Sequence, residues 1–532
     1  MSTLLEQASL VMIPSGYKED VVYSQIPTNG NGDLSFTRAS NGTRVNSAGL
    51  VEVCPWNFVA QSESIGTSPW LLNGATLTSG QTDPNGGTTA IKVELASGGN
   101  NYVYQGIPLT NPVNIVSAYL RADSATTIGF SIGGSTANAV NLTTSWQLFT
   151  FSSTDTSGGI IFDNYFGPSP TQQAKTFYIW GAQLNIGSTA KPYFPTTDRL
   201  NVPRLTYQNG GGGCPSLLLE KQSTNLLVYS EQFDQWSTNG TTTANAGISP
   251  DGTQNADRLN YTSGNIYWLD ASINVTNGVS YTYSLYVKPT SVGNQFRFYL
   301  DGAFNDSTVI TTDSSDWKRY TWTFTASATG SINPHVLLGY GYSSQSILVW
   351  GAQLEASTYP TSLINTTSAS ATRVADFATT NNISSLFGST EGSFFIEMTY
   401  DGRNSSGAIP LFLRSSTNSA YNYATYLQFG TTNITLEAYS GGTSQAVISG
   451  GSFTNGQTLK VAFGYKANDF VLYVNGVQIG TDTSGSISAN LSFIDLGTYN
   501  QIASTYQYNG TISEAVLFPT RLTNTQLAQL TA

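Results

Sequence analysis

The chain has 532 residues, of which 39% are hydrophobic and only 10% charged, and its net charge is −11. Globular proteins usually carry about 25% charged residues; here Ser, Thr, Asn, Gly and Tyr stand in their place, giving a surface hydrophilic through hydroxyls and amides. The 21 basic residues are scattered, which argues against the basic stripe of a nucleic-acid binder and against an anionic membrane surface.

Taken in chain order, residues 1–53 read as a segment of two or three strands with Gly/Asn-rich turns (Asn29-Gly30-Asn31-Gly32). No stretch reaches the roughly 18 apolar residues of a membrane-spanning helix. Met1 to Glu6 lacks the basic and apolar regions of a secretory signal. Cys54 and Cys214 each precede proline. A disulfide framework is not expected; two thiols are the plainer reading and one Cys–Cys bond the alternative.

Residues 54–200 and 223–366 then say the same thing twice. Trp180-Gly181-Ala182-Gln183-Leu184 returns as Trp350-Gly351-Ala352-Gln353-Leu354. Asn57-Phe58-Val59-Ala60-Gln61-Ser62-Glu63 is matched by Asn225-Leu226-Leu227-Val228-Tyr229-Ser230-Glu231, and Ser117-Ala118-Tyr119-Leu120-Arg121 by Ser284-Leu285-Tyr286-Val287-Lys288. Trp146 is echoed by Trp317 and Trp70 by Trp236. Landmarks in one order at nearly one spacing mean a duplicated domain, each copy long enough for its own core. Strand-like runs such as Phe296-Arg297-Phe298-Tyr299-Leu300, punctuated by Gly, Asn and Ser, predict short strands in sandwiches.

Residues 201–222, with Gly210-Gly211-Gly212-Gly213, and residues 367–390 read as connectors. The four glycines lack the Lys-Ser/Thr of a phosphate loop. Thr43-Arg44-Val45, Pro203-Arg204-Leu205 and Thr372-Arg373-Val374 each sit shortly before a module. Arg44, Arg204 and Arg373 are read as clamps on a carboxylate or carbonyl, with contact to a partner as the alternative. Residues 391–532 form a different C-terminal β domain, in which Asn475-Gly476 signals a two-residue hairpin. Helix is expected only in the first few residues and in the tail Thr523 to Leu530.

Little points to catalysis. His335 is the one histidine, read as a solvent-edge residue beside a buried strand, so serine- or cysteine-histidine chemistry has no other base. One His and two distant Cys cannot build a zinc site. No spacing singles out a glycosidase pair among the 32 carboxylates. No cofactor is implied; Asp- and Asn-rich turns could take a structural calcium, but no loop pattern supports one. Trp180 and Trp350 read as core. Trp70 and Trp236, in polar surroundings, and Tyr421, Tyr423 and Tyr499 are the candidate platforms for sugar rings.

Each repeat resembles the carbohydrate-binding-module-like jelly rolls of phage structural proteins. The resemblance rests on Asn225 to Trp236, Tyr283 to Lys288, Trp317 to Tyr320 and Val349 to Glu355. Phe36 to Glu52 and Leu217 to Leu227 resemble segments of phage tail-fibre and virion surface proteins. Gly392 to Met398, Phe470 to Val477 and Tyr508 to Phe518 resemble strands of concanavalin A-like or laminin-G-like sandwiches.

The expected architecture is therefore all-β: tandem jelly rolls followed by a lectin-like sandwich. The resemblance implies a non-enzymatic virion-surface appendage, made in the host cytoplasm and released by lysis. Residues 1–53 would attach it to other virion proteins, it would assemble as a homo-oligomer, a trimer by analogy, and its partner would be host-surface polysaccharide. A purely structural capsid or tail decoration protein is the rival reading, and a glycan depolymerase a third.

Overall fold

The computed structural model describes residues 2–108, 113–133, 138–154, 158–164, 172–208, 210–341, 343–401, 407–415, 423–487, 490–498 and 506–532. It is almost entirely β, as composition and strand periodicity predict. Two compact units result, one of residues 1–52, 201–244 and 257–532, the other of residues 53–200 and 245–256.

Repeat 1 is a two-sheet sandwich. One sheet runs Asn138–Leu142, Thr126–Ile132, Gly159–Asp163, Tyr102–Gly106, Leu71–Asn73; the other runs Gln147–Ser153, Asn114–Arg121, Lys175–Ile186, Ala90–Leu95, Ala75–Gln81. Repeat 2 has the same orders: Asp306–Thr311, Gln295–Gly302, Gly330–Leu338, Ile266–Leu269, Ser237–Thr238, and Lys318–Thr325, Ser280–Pro289, Ile347–Glu355, Ala256–Asn260, Thr241–Gly247. It adds Ile273–Val275, paired with Gly330–Leu338.

The echoed residues are the ones that fix this fold. Gly181 and Gly351 adopt φ of 65° and 64°, a left-handed conformation that glycine enters without Cβ strain. Each lies opposite a register shift, between Ser117 and Tyr119 in one repeat and Ser284 and Tyr286 in the other. Asn57 Nδ2 donates to the carbonyls of Ala182 and Phe194, and its Oδ1 accepts from the amides of Val59 and Leu184. Asn225 makes the same four bonds with Ala352, Ile364, Leu227 and Leu354. Gln183 and Gln353 accept from the amides of Phe194 and Ile364. Buried backbone groups far apart in sequence are thus satisfied by side chains.

The C-terminal sandwich is not confined to residues 391–532. Its eight-stranded sheet runs Arg204–Thr206, Ser216–Leu219, Gly510–Phe518, Glu391–Tyr400, Thr458–Lys466, Asp469–Val474, Val477–Asp482, with Leu10–Met12 also on Gly510–Phe518. The nine-stranded sheet runs Tyr17–Lys18, Val21–Val22, Leu34–Thr37, Phe377–Thr380, Leu491–Leu496, Leu411–Ser415, Tyr423–Phe429, Ile434–Ser440, Thr443–Gly450. So the segment 1–53, expected to stand apart, and the two expected connectors supply strands to this sandwich. The physical reason is burial: Leu10, Met12, Val22, Leu34, Phe36, Leu205, Leu217 and Leu219 share one core with Phe394, Leu436 and Leu472.

Charge completes the junction. Arg38 Nη1 donates to Asp376 Oδ1 at 2.9 Å, and Arg204 Nη2 donates to Asp376 Oδ2. Arg204 Nη1 reaches Glu220 Oε2 at 2.6 Å, and Arg373 Nη1 lies 3.1 Å from the same oxygen. Ser362, in the exit segment of repeat 2, donates to Glu220 from both its amide and its hydroxyl, at 2.6 Å. Burial pushes the Glu220 carboxyl up, but Arg373 and Arg204 overcome it and hold the group at about 2. Arg44 makes its own pair, with Glu52 at 2.9 Å and with Tyr17 Oη at 2.8 Å.

Among the described residues the α-helices are Ser2–Leu5 and Asn524–Thr531, the latter started by a Thr523/Gln526 capping box. Asn475 and Gly476, with φ of 48° and 80°, turn the expected hairpin between Asp469–Val474 and Val477–Asp482. Cys54 is buried and Cys214 exposed, and neither is in a disulfide.

Candidate functional site

The expected tryptophan platforms are not platforms. Trp70 is 5% exposed and Trp236 4%, each inside the core of its own repeat. Their indole N–H groups donate to the carbonyls of Gln61 and Tyr229 at 3.1 and 3.3 Å. The polar neighbours that suggested exposure belong to the surrounding turns, while the ring itself fills the sandwich. Tyr421 and Tyr499 lie outside the described residues, and of Tyr423 only the backbone, in Tyr423–Phe429, is described.

A different aromatic surface emerges in repeat 2. Along Gln295–Gly302 the residues alternate: Phe296, Phe298 and Leu300 point into the core, and Arg297, Tyr299 and Asp301 point outward. The neighbouring strand sets Leu337 beside Arg297, His335 beside Tyr299 and Asn333 beside Asp301. The next strand sets Tyr267 beside Leu337 and Leu269 beside His335. One outward face therefore carries Tyr267, His335 and Tyr299 in a row.

His335, expected at a solvent edge, is 7% exposed because the two tyrosines flank it. Ring centroids lie 5.8 Å apart for Tyr267 and His335 and 5.4 Å for Tyr299 and His335. Its Nε2 sits 3.3 Å from Asp301 Oδ2. Burial draws the imidazole pKa down despite the Asp301 carboxylate, so the ring is neutral at neutral pH. Asp301 Oδ1 also accepts from Asn333 Nδ2 at 2.6 Å, and Ser272 donates to Asn333 Oδ1. The result is a half-exposed aromatic strip with an Asp–Asn–Ser ridge at one end and Arg297 toward the other. Ring faces can stack on the C–H face of a pyranose, and the ridge offers donors and acceptors to its hydroxyls. The sequence held one signal for it, the period-two pattern Arg297-x-Tyr299-x-Asp301; joining it to Tyr267 and His335 requires the strand register.

The C-terminal sandwich has a second polar-aromatic cluster on the side of its nine-stranded sheet away from the main core. Arg414 Nε reaches Asp495 Oδ2 at 2.7 Å, and its guanidinium lies 4.3 Å from the Phe493 ring centroid. Tyr426 and Tyr439 donate to Glu437 Oε2 at 2.6 and 3.3 Å. Phe412 and Tyr426 are buried there, so the cluster offers no open platform.

The three arginines of the connectors are structural in their surroundings: Arg204 and Arg373 are buried in the charge network, and Arg44 pairs with Glu52. Among the described residues no group of three or more His, Cys, Asp or Glu side chains is placed to hold a metal. The Asp-rich turns satisfy themselves: Asp83 accepts from the amides of Asn85, Gly87 and Thr89, and Asp251 from the amide and hydroxyl of Thr253.

Residues 373–528 match a family model described as the Concanavalin A-like lectin/glucanases superfamily. Among solved structures, the chain is similar to the CBM40 domain of the Ruminococcus gnavus IT-sialidase bound to α2,3-sialyllactose. Identity is 16% and the TM-score 0.24, over 27% of this chain and 84% of that one. It is also similar to domain 4 of AbnA, a GH43 extracellular arabinanase from Geobacillus stearothermophilus, in complex with arabinotriose. There identity is 17% and the TM-score 0.25, over 33% of this chain and 81% of that one. The native heptameric SAP-like pentraxin of Limulus polyphemus matches at 18% identity and a TM-score of 0.23, over 27% of this chain and 70% of that one. No curated protein is significantly similar in sequence.

Proposed function

We propose that this chain is a non-catalytic glycan-binding protein displayed on a phage particle, where it contacts host-surface polysaccharide during adsorption. The observation that carries glycan binding is the Tyr267–His335–Tyr299 strip with its Asp301–Asn333 ridge. The sparsely charged, hydroxyl- and amide-rich composition supports it. The virion setting rests on the resemblance of residues 36–52 and 217–227 to virion-surface segments. Since residues 1–52 share the core of the C-terminal sandwich, attachment to other virion proteins would run through that sandwich. A homo-oligomer, a trimer by analogy, would multiply weak sites into avidity.

A structural decoration role is the second reading, and the burial of Trp70 and Trp236 favours it. Adsorption competition separates the two. Purified, folded protein added to host cells before intact phage is expected to block adsorption in a dose-dependent way. Full adsorption at saturating protein would favour the decoration role.

A further inference from the structure

Repeat 1 holds an open cleft of about 650 Å³, a size suited to a small ligand. Its walls are the loop 63–67 and the strands Leu71–Asn73 and Ala75–Gln81. Ile65, Leu77 and Ile91 give it an apolar floor, Leu72 is exposed at its side, and Glu63 and Thr67 bring polar groups to it. Gly66, at φ 100°, lets the loop lie close over Leu77, because a Cβ there would sit 2.6 Å from Leu77 Cδ1.

Repeat 2 does not build this loop. Its segment from Ser230 to Trp236 is two residues shorter than Ser62 to Trp70. Phe233 is fully buried there, its ring centroid 4.6 Å from that of Trp236. The cleft is also anionic. Glu63 is half-buried, and no Lys or Arg is among the lining residues. Burial and then the neighbouring Asp83 carboxylate raise the Glu63 pKa, the signature of an acid short of positive charge. Asp83 is already held by its own turn; Glu63 takes one side-chain hydrogen bond, from Tyr193, and a carboxylate keeps further acceptor positions for a ligand.

We propose that this cleft is a second ligand site, for an amino sugar with a free ammonium group. Glu63 accepts from the ammonium, Thr67 meets ring hydroxyls, and Leu72 and Leu77 cover the C–H face. The choice of a sugar over other amines rests on the glycan-binding reading above; the cleft itself stands on different residues from the Tyr267–Tyr299 face.

Calorimetric titration of the full chain with glucosamine, N-acetylglucosamine, glucose and cyclohexylamine tests it. Glucosamine is expected to bind at least about tenfold more tightly than the two neutral sugars, the worth of one charge-assisted hydrogen bond. Glu63→Gln should erase that preference. Thr67→Trp, at an exposed position, should block the cleft without touching Glu63. Both cleft variants leave Tyr267, His335 and Tyr299 in place, so failure of the repeat 2 face is read separately. Equal binding of all three sugars, binding of cyclohexylamine alone, or glucosamine binding that survives both cleft variants would overturn the proposal.

Discussion

In repeat 1 the strand Thr126–Ile132 turns Gly129 and Ser131 outward; in repeat 2 the equivalent strand turns out Arg297 and Tyr299. The equivalence is set by register, since Phe130 faces Phe162 as Phe298 faces Val336. Tyr102, opposite Asp163, corresponds to Tyr267, opposite Leu337. In repeat 1 Gly133, just past that strand, makes room for Tyr104, whose ring would lie 2.8 Å from a Cβ there. Its hydroxyl donates to the Gly158 carbonyl at 3.2 Å. The four-bond Asn57 and Asn225 clamps, by contrast, are the same in both copies. Duplication kept the polar groups that the core cannot do without and left the outward face free to diverge.

The largest effect is expected where repeat 2 meets the C-terminal sandwich. The Arg38–Asp376–Arg204–Glu220–Arg373 network grips repeat 2 through Ser362. Asp376→Asn strips a carboxylate from two fully buried arginines and should cost about 3–5 kcal/mol. In denaturant unfolding followed by site-specific probes, the C-terminal sandwich and repeat 2 should lose midpoint while repeat 1 holds its own. An equal fall in repeat 1 would end the distinction.

A smaller effect turns on one exchanged residue. Gln105 of repeat 1 accepts from the Ala60 amide at 2.7 Å and donates to the Ala60 carbonyl at 2.8 Å. The corresponding residue of repeat 2 is Asp270, which accepts from the Val228 amide at 2.8 Å. Burial raises the Asp270 carboxyl to about 6, against about 3.9 in an unfolded chain. Between those values the folded state binds more protons, so this group's contribution falls as pH rises from about 4 to 6. Asp270→Asn should therefore stabilise repeat 2 by about 3 kcal/mol at pH 7 and make little difference below pH 4. Gln105→Glu should bring the same pH dependence into repeat 1. Melting temperatures across pH 4–8 check both, and parallel curves for Asp270→Asn and the parent chain would refute the assignment.

Much of the fold was legible in the sequence because its signals are local. The Trp-Gly-Ala-Gln-Leu echo marks a bulge glycine and a clamp glutamine, Asn475-Gly476 a tight turn, and Thr523 with Gln526 a helix start. The strands of residues 1–52 were harder to place. They are two to four residues long, and Leu10–Met12 pairs with a strand about 500 residues away. No local pattern reports such a partner. The sugar platforms were misplaced for a related reason: Trp70 and Trp236 have polar neighbours in sequence and apolar ones in space. The Tyr267, Tyr299 and His335 face appears only once three strands are in register.

The most direct measurement is binding of the full chain to an array of host-surface polysaccharide fragments, beside the double variant Tyr267→Ala/Tyr299→Ala. Both rings are half-exposed, so the variant should keep its melting temperature. The expected result is a bound glycan class whose affinity falls about tenfold or more in the variant. A bound glycan that the folded variant retains at full affinity would contradict a glycan site on this face.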